Sequence, residues 1–231
     1  AQARSKVLMD TRIDALRRWL ALEAPANASV SDKLLTAYVN ALASTLMRDW
    51  PRAESAAQLA LGLVRGSPRS DAFAEREVVL LQAEMLLARG EPVRAAEVLK
   101  PYDNEGLPNS RAVMLLQAQA ALGVGQQAIQ RSTEEMQTWI AAHPHDATTW
   151  AQLGRSWEKL GHPLRALRAE AESRISLGDL TGGVDRLRAG QKLARSTQSV
   201  DFIEASVIEA RLRELEMQAR RRELEERGQR G

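Results

Sequence analysis

The chain has 231 residues, 44% hydrophobic and 27% charged, with 32 Lys and Arg against 30 Asp and Glu. That near-balance gives no ground for a nucleic-acid partner, because phosphate binding needs clustered, uncompensated cations. Absence of cysteine excludes disulfide scaffolds, Cys-based zinc sites and thiol nucleophiles, and no apolar run approaches the roughly 18 residues of a membrane span.

The N-terminal stretch AQARSKVLMDTR lacks the apolar run of a signal peptide and an initiator Met. We expect the chain to be a piece of a longer protein, with residues 1–30 forming a connecting or capping helix. Beyond it, amphipathic segments of about 12–18 residues alternate with short breaks. The breaks are APANASVSD (24–32), RDWP (48–51), RGSPRSD (65–71), RGEP (89–92), KPYDNEGLPNS (100–110), GVGQ (123–126), HPHD (143–146), GHP (161–163), LGDLTGG (177–183) and STQSVD (196–201). They are rich in Gly, Pro, Asn, Asp and Ser, the residues that cap or stop helices. These breaks predict about eleven helices. No stretch alternates with period two, so no sheet is expected. Low aromatic content and abundant alanine point to an all-α chain with close helix packing.

Repetition organises these helices. From Trp150 the chain reads Trp150, Leu153, Gly154, Trp157, Gly161, Ala166. This matches the tetratricopeptide pattern of W-x2-L-G-x2-Y, a turn glycine and a small residue, with Trp157 in place of the Tyr. Gly154 lets two helices approach, the tryptophans fill the groove, and Ala166 fits the crossing. Degenerate copies place crossing alanines at Ala53, Ala95 and Ala128, a spacing that scatters around the repeat's period of about 34. The expected architecture is a tetratricopeptide-like superhelix of helical pairs over 1–215. Degenerate repeats fill 31–146. The best-matching repeat and a shared helix fill 147–195, and a capping helix fills 196–215. Residues 216–231 are expected to fray as a charged tail with Glu216–Arg220 and Glu223–Arg227 pairs and a basic run at Arg220–Arg222.

The segment from Trp150 to Leu193, followed by FIEASVIEARLREL, resembles the C-terminal end of periplasmic zinc metalloproteases that assist outer-membrane β-barrel assembly. Leu177-Gly178-Asp179-Leu180 and the helix from Ala210 to Leu215 carry that resemblance, and ARSKVLMDTRIDALRRW is similar to the segment following the protease domain. The resemblance implies a periplasmic, exported parent from a Gram-negative bacterium, with an HExxH zinc domain lying outside this chain. HExxH is absent here. The chain itself is then expected to hold no cofactor, any zinc belonging to the parent. The implied role is a non-catalytic module that docks assembly machinery or barrel substrates and limits access to the parent's own protease domain. The alternative is a free-standing scaffold or chaperone-like peptide adaptor unrelated to proteolysis.

His143, His145 and His162 are weighed as ligands and read as turn residues, with Asp146 as the N-cap of a helix starting at Ala147. Trp19, Trp150 and Trp157 read as core, and Trp50 as a turn residue open to a partner. In such arrays the first helix of each pair lines the concave face. Counting along the register gives Tyr38, Glu77, Glu84, Gln117, Arg155, Glu158 and Lys159 as the surface for a protein or extended peptide. Arg155 and Lys159 together suit a carboxylate or an acidic segment.

Overall fold

A computed structural model of the chain describes residues 2–67, 71–102, 111–196 and 201–228, with 219–228 as backbone only. The fold is all-α, as expected. Its helices are α1 (Gln2–Met9), α2 (Ile13–Leu20), α3 (Val30–Leu46), α4 (Trp50–Arg65), α5 (Ala72–Arg89), α6 (Pro92–Leu99), α7 (Arg111–Val124), α8 (Gln126–Ala142), α9 (Ala147–Lys159), α10 (Pro163–Ser176), α11 (Leu180–Ser196) and α12 (Phe202–Gly228). There is no strand among the described residues, and apart from α1, which packs more on α3 than on α2, each helix packs mainly on a neighbour in sequence. Each of the ten expected breaks contains a junction between helices, although 180–183 of the 177–183 break form the first turn of α11, 30–32 of the 24–32 break begin α3, and 68–70, 103–110 and 197–200 lie outside the described residues.

Local chemistry explains these boundaries. Asp49, Asp71 and Asp146 precede α4, α5 and α9 and accept hydrogen bonds from the amides of Arg52, Ala74 and Thr149. Pro51, Pro92 and Pro163 occupy first helical turns, where a missing N–H costs nothing. Gly90 ends α5 at φ 85° and Gly161 follows α9 at φ 77°, conformations that favour glycine.

One further break separates α1 from α2, so the helices number twelve among the described residues. It contains no Gly or Pro. The Asp10 carboxylate instead accepts from the Arg12 amide and guanidinium, a local competitor to the helix ladder. Hydrogen bonding from Arg12 holds that carboxyl down at about 2. At the other end the backbone stays helical through Gly228, beyond the residue-216 point where fraying was expected. The Glu216–Arg220 and Glu223–Arg227 pairs and the Arg220–Arg222 run lie outside the described side chains.

The chain divides into two compact units, 1–124 and 125–231. In the first, Val7, Leu16, Leu20, Val39, Leu42 and Leu81 form one core cluster. Met85 and Leu86 close on the alanines Ala53, Ala95 and Ala120 in another. Ala53 and Ala95 are fully buried, as their crossing positions require. Ala128, expected in the same role, is only partly buried, and its neighbour Ile129 takes the buried position.

In the second unit α10 packs on both α9 and α11, and α12 packs on α11 and α10. Ile208, Leu212 and Leu215 of α12 are buried with Leu164, Ala171 and Leu187. Each such side chain contributes about 1.5–3 kcal/mol by leaving water. Two ion pairs join α10 to α12, Arg168–Glu204 and Glu172–Arg211, and a third, Arg165–Asp201, joins α10 to the residue that precedes α12. Glu204 is buried and Arg168 partly so.

Removing Arg168 strands a buried carboxylate. Arg168→Ala is expected to cost about 2–4 kcal/mol in urea unfolding, with most of that recovered in the Arg168→Ala/Glu204→Leu double variant. A second test concerns Asp201, whose carboxyl lies below the ordinary aspartate value, chiefly through the Glu204 amide hydrogen bond and secondarily through Arg165. A depressed folded pKa stabilises fully above the unfolded value near 4, and that contribution is lost as pH falls through the folded value. An NMR titration should therefore place the Asp201 midpoint below 4. Arg165→Ala should return it only part of the way.

Candidate partner-binding surfaces

The stretch read from the sequence as the best-matching repeat forms the hairpin of α9 and α10. Trp150, Leu153, Gly154 and Trp157 lie on α9, Gly161 in the turn, and Ala166 on α10. Leu153, Gly154, Trp157 and Ala166 are buried. A Cβ added at Gly154 would stand 3.3 Å from Glu170 Cγ and 3.5 Å from the Ala166 carbonyl oxygen, so the two helices touch here. Trp150 is only partly buried. Its indole N–H donates to the Pro144 carbonyl at 2.8 Å and its ring faces the Arg168 guanidinium. Trp19 is likewise partly buried, against the first core cluster, and Trp50 packs partly buried beside Ala53 and Leu86 as the first residue of α4.

The stretch HPHD spans the α8–α9 turn. The His143 ring stacks on Trp139, with centroids 3.9 Å apart, and its Nδ1 lies 3.0 Å from the Trp139 carbonyl. Asp146 takes hydrogen bonds from the Trp139 indole, the Thr149 hydroxyl and the Thr149 amide. His162 precedes α10 and meets Trp157 edge-on. These histidines and Asp146 are engaged separately with aromatic rings and backbone. Among the described residues no three His, Cys, Asp or Glu side chains converge as a metal site would require.

The expected concave-face residues fall in both units. In the second unit Arg155, Glu158 and Lys159 are exposed on α9, and none of them makes an ion pair among the described residues. In the first unit, Tyr38 on α3 and Glu84 on α5 meet at one point. Arg4 of α1 donates to both Glu84 carboxylate oxygens at 2.8 Å and to the Tyr38 hydroxyl at 3.4 Å. Burial pushes the Tyr38 hydroxyl above its ordinary value, against the lowering pull of Arg4. Val7, one turn along α1, is fully buried. Beside this clamp runs a groove of about 250 Å³, walled by Leu34, Leu35, Tyr38, Phe73, Glu77 and Val78 together with α1. Gln117 is partly buried on α7 and takes no part in the groove wall.

Residue counting found Tyr38, Glu77 and Glu84 but missed Arg4. A lone arginine in a short N-terminal segment carries no local mark of a partner 80 residues away. The glycines of α11 were also missed. A Cβ at Gly183 would lie 2.5 Å from Ile175 Cγ1 and 3.2 Å from the Ala171 carbonyl, and one at Gly190 would lie 2.9 Å from Ile208 Cδ1.

Comparison with family models and with curated proteins finds no match to this chain.

The glycine geometries give a ranked expectation for thermal unfolding. Gly154→Ala should change stability by no more than ~1 kcal/mol, because helix propensity favours Ala and the Glu170 side chain can move. Gly154→Leu should cost ~3 kcal/mol through overpacking. Gly183→Ala should fall between them. Equal melting temperatures for Gly183→Ala and Gly154→Ala would show that Gly183 does not set the α10–α11 spacing.

Proposed function

We propose that the chain is a non-catalytic protein-interaction module of the tetratricopeptide type. The observation that carries this reading is the α9–α10 hairpin, in which Gly154 touches the Ala166 carbonyl while Arg155, Glu158 and Lys159 stay exposed on the first helix. A pair of helices locked at small residues with an open polar face on its first member suits side-chain recognition of another chain. Arg155 and Lys159 stand one helical turn apart, so they offer two cations to a carboxylate terminus or an acidic segment.

The resemblance of 147–215 to periplasmic assembly proteases supports a fuller reading. The module would dock outer-membrane assembly machinery or barrel substrates in the periplasm, beside a zinc protease domain borne by the parent protein. Zinc would sit in that domain. In support of that placement, among the described residues His143 is stacked on Trp139 and Asp146 is committed to three hydrogen bonds. The coding sequence upstream of Ala1 tests this fuller reading. An HExxH domain there would support it, and a start codon immediately upstream would return the free-standing scaffold.

The recognition surface has its own test. Arg155→Glu/Lys159→Glu should melt like the wild type, because both side chains are exposed. Its affinity for an acidic peptide such as acetyl-AADEADDLE with a free carboxyl terminus should fall at least tenfold in fluorescence anisotropy. Unchanged binding would remove α9 as the recognition face.

A further inference from the structure

One wall of the first unit's groove is itself a short helix, α1, which contributes Ala3 and Arg4. α1 is eight residues long, below the length at which an isolated helix is stable in water. Val7 is its only buried residue, and Arg4 is its polar anchor. The helix therefore rests on Val7, on the partly buried Ala3 beside it, and on one guanidinium, the last read by Glu84 and Tyr38.

The acidic face it uses is larger than α1 itself. Glu77 and Glu84 lie seven residues apart on α5, so they share one side of the helix at about 10 Å spacing along its axis. Glu84 is satisfied by Arg4. Glu77 is partly buried and makes no ion pair among the described residues. The walls around Glu77 are largely apolar, and two of their side chains are exposed large hydrophobics: Leu35 is 50% and Phe73 65% exposed, the latter with the Arg76 guanidinium over its ring. Half of a site for a basic, apolar segment is thus filled, and half stands open.

We propose that the α3–α5 groove binds a basic amphipathic helix of a partner protein, with two cations two turns apart on Glu77 and Glu84 and aliphatic side chains against Leu34, Leu35 and Phe73. α1 is the internal competitor for the Glu84 half. Two-point capture gives the partner its advantage, because a second cation reached from the same helix adds to the first without a new association step. The proposal deepens the interaction reading. It concerns a different unit and ligands of opposite charge from those of α9, so the two can fail separately.

The probe is the labelled peptide acetyl-AARALVALLRAA-amide, whose arginines are seven apart, with the same peptide carrying Glu at both arginines as control. Binding to the full chain is read by anisotropy, and α1 by hydrogen exchange of its amides. We expect the basic peptide alone to bind. Glu77→Lys should weaken it at least tenfold. Arg4→Ala, which frees Glu84, should tighten it at least threefold. Saturating peptide should raise α1 exchange at least tenfold while α3 and α5 stay protected. Equal binding of the acidic control, indifference to Glu77→Lys, or α1 amides that stay protected in the complex would each overturn the proposal. So would a concentration-dependent doubling of mass with α1 exchanged between copies, which would make a second copy the occupant. Should Glu77→Lys fail to fold, the Arg4→Ala and exchange results decide alone.

Discussion

Two helices can touch backbone to backbone only where one of them presents no side chain larger than a methyl group, and this chain meets that condition repeatedly. Ala53 and Ala95 are buried at such points in the first unit. Gly154 meets the Ala166 carbonyl region, and Gly183 meets Ala171 and Ile175, in the second. Close approach raises packing density and dispersion contact along the whole crossing. It also explains how a chain with few aromatics fills its cores: alanine and glycine bring the helices together, and leucine, methionine and isoleucine fill what space remains.

The surfaces follow from that packing. A helix pinned at small residues on one side has its opposite side left for polar groups. α9 leaves Arg155, Glu158 and Lys159 exposed around its buried residues, while Glu77 and Glu84 share one side of α5. The two faces differ in occupancy. The α9 residues make no ion pair among the described residues, whereas Glu84 is held by Arg4 of α1. The ion pairs between α10 and α12 are of another kind. Glu204 is buried there, so its charge is tolerable only while Arg168 stays in place.

Much of this was legible in the sequence because its signals are local. Proline in a first turn, glycine after a last turn and aspartate or serine at an N-cap each act within four residues, and they mark most of the expected breaks. The break after Met9 escaped because a single Asp–Arg contact makes it. The alanine spacing located Ala53, Ala95 and Ala166 but chose Ala128 over Ile129, since periods that vary between repeats do not fix a register to one residue. Long-range contacts left no such trace. Arg4 reaches Glu84 across 80 residues, and Gly183 and Gly190 matter only because of what lies opposite them.

Those two glycines have a consequence for α11 as a whole. They lie seven residues apart, on one side of a helix whose other residues are largely polar. On that side the fully buried Leu187 stands between them and packs with Leu164, Ala171 and Ile208, while α10 and α12 also meet directly through Arg168–Glu204 and Glu172–Arg211. By hydrophobicity alone α11 would pass for a surface helix open to substitution. Its packing makes it a spacer of fixed thickness, so tolerance to mutation should be lowest at Gly183 and Gly190, where an added Cβ would run into Ile175 and Ile208.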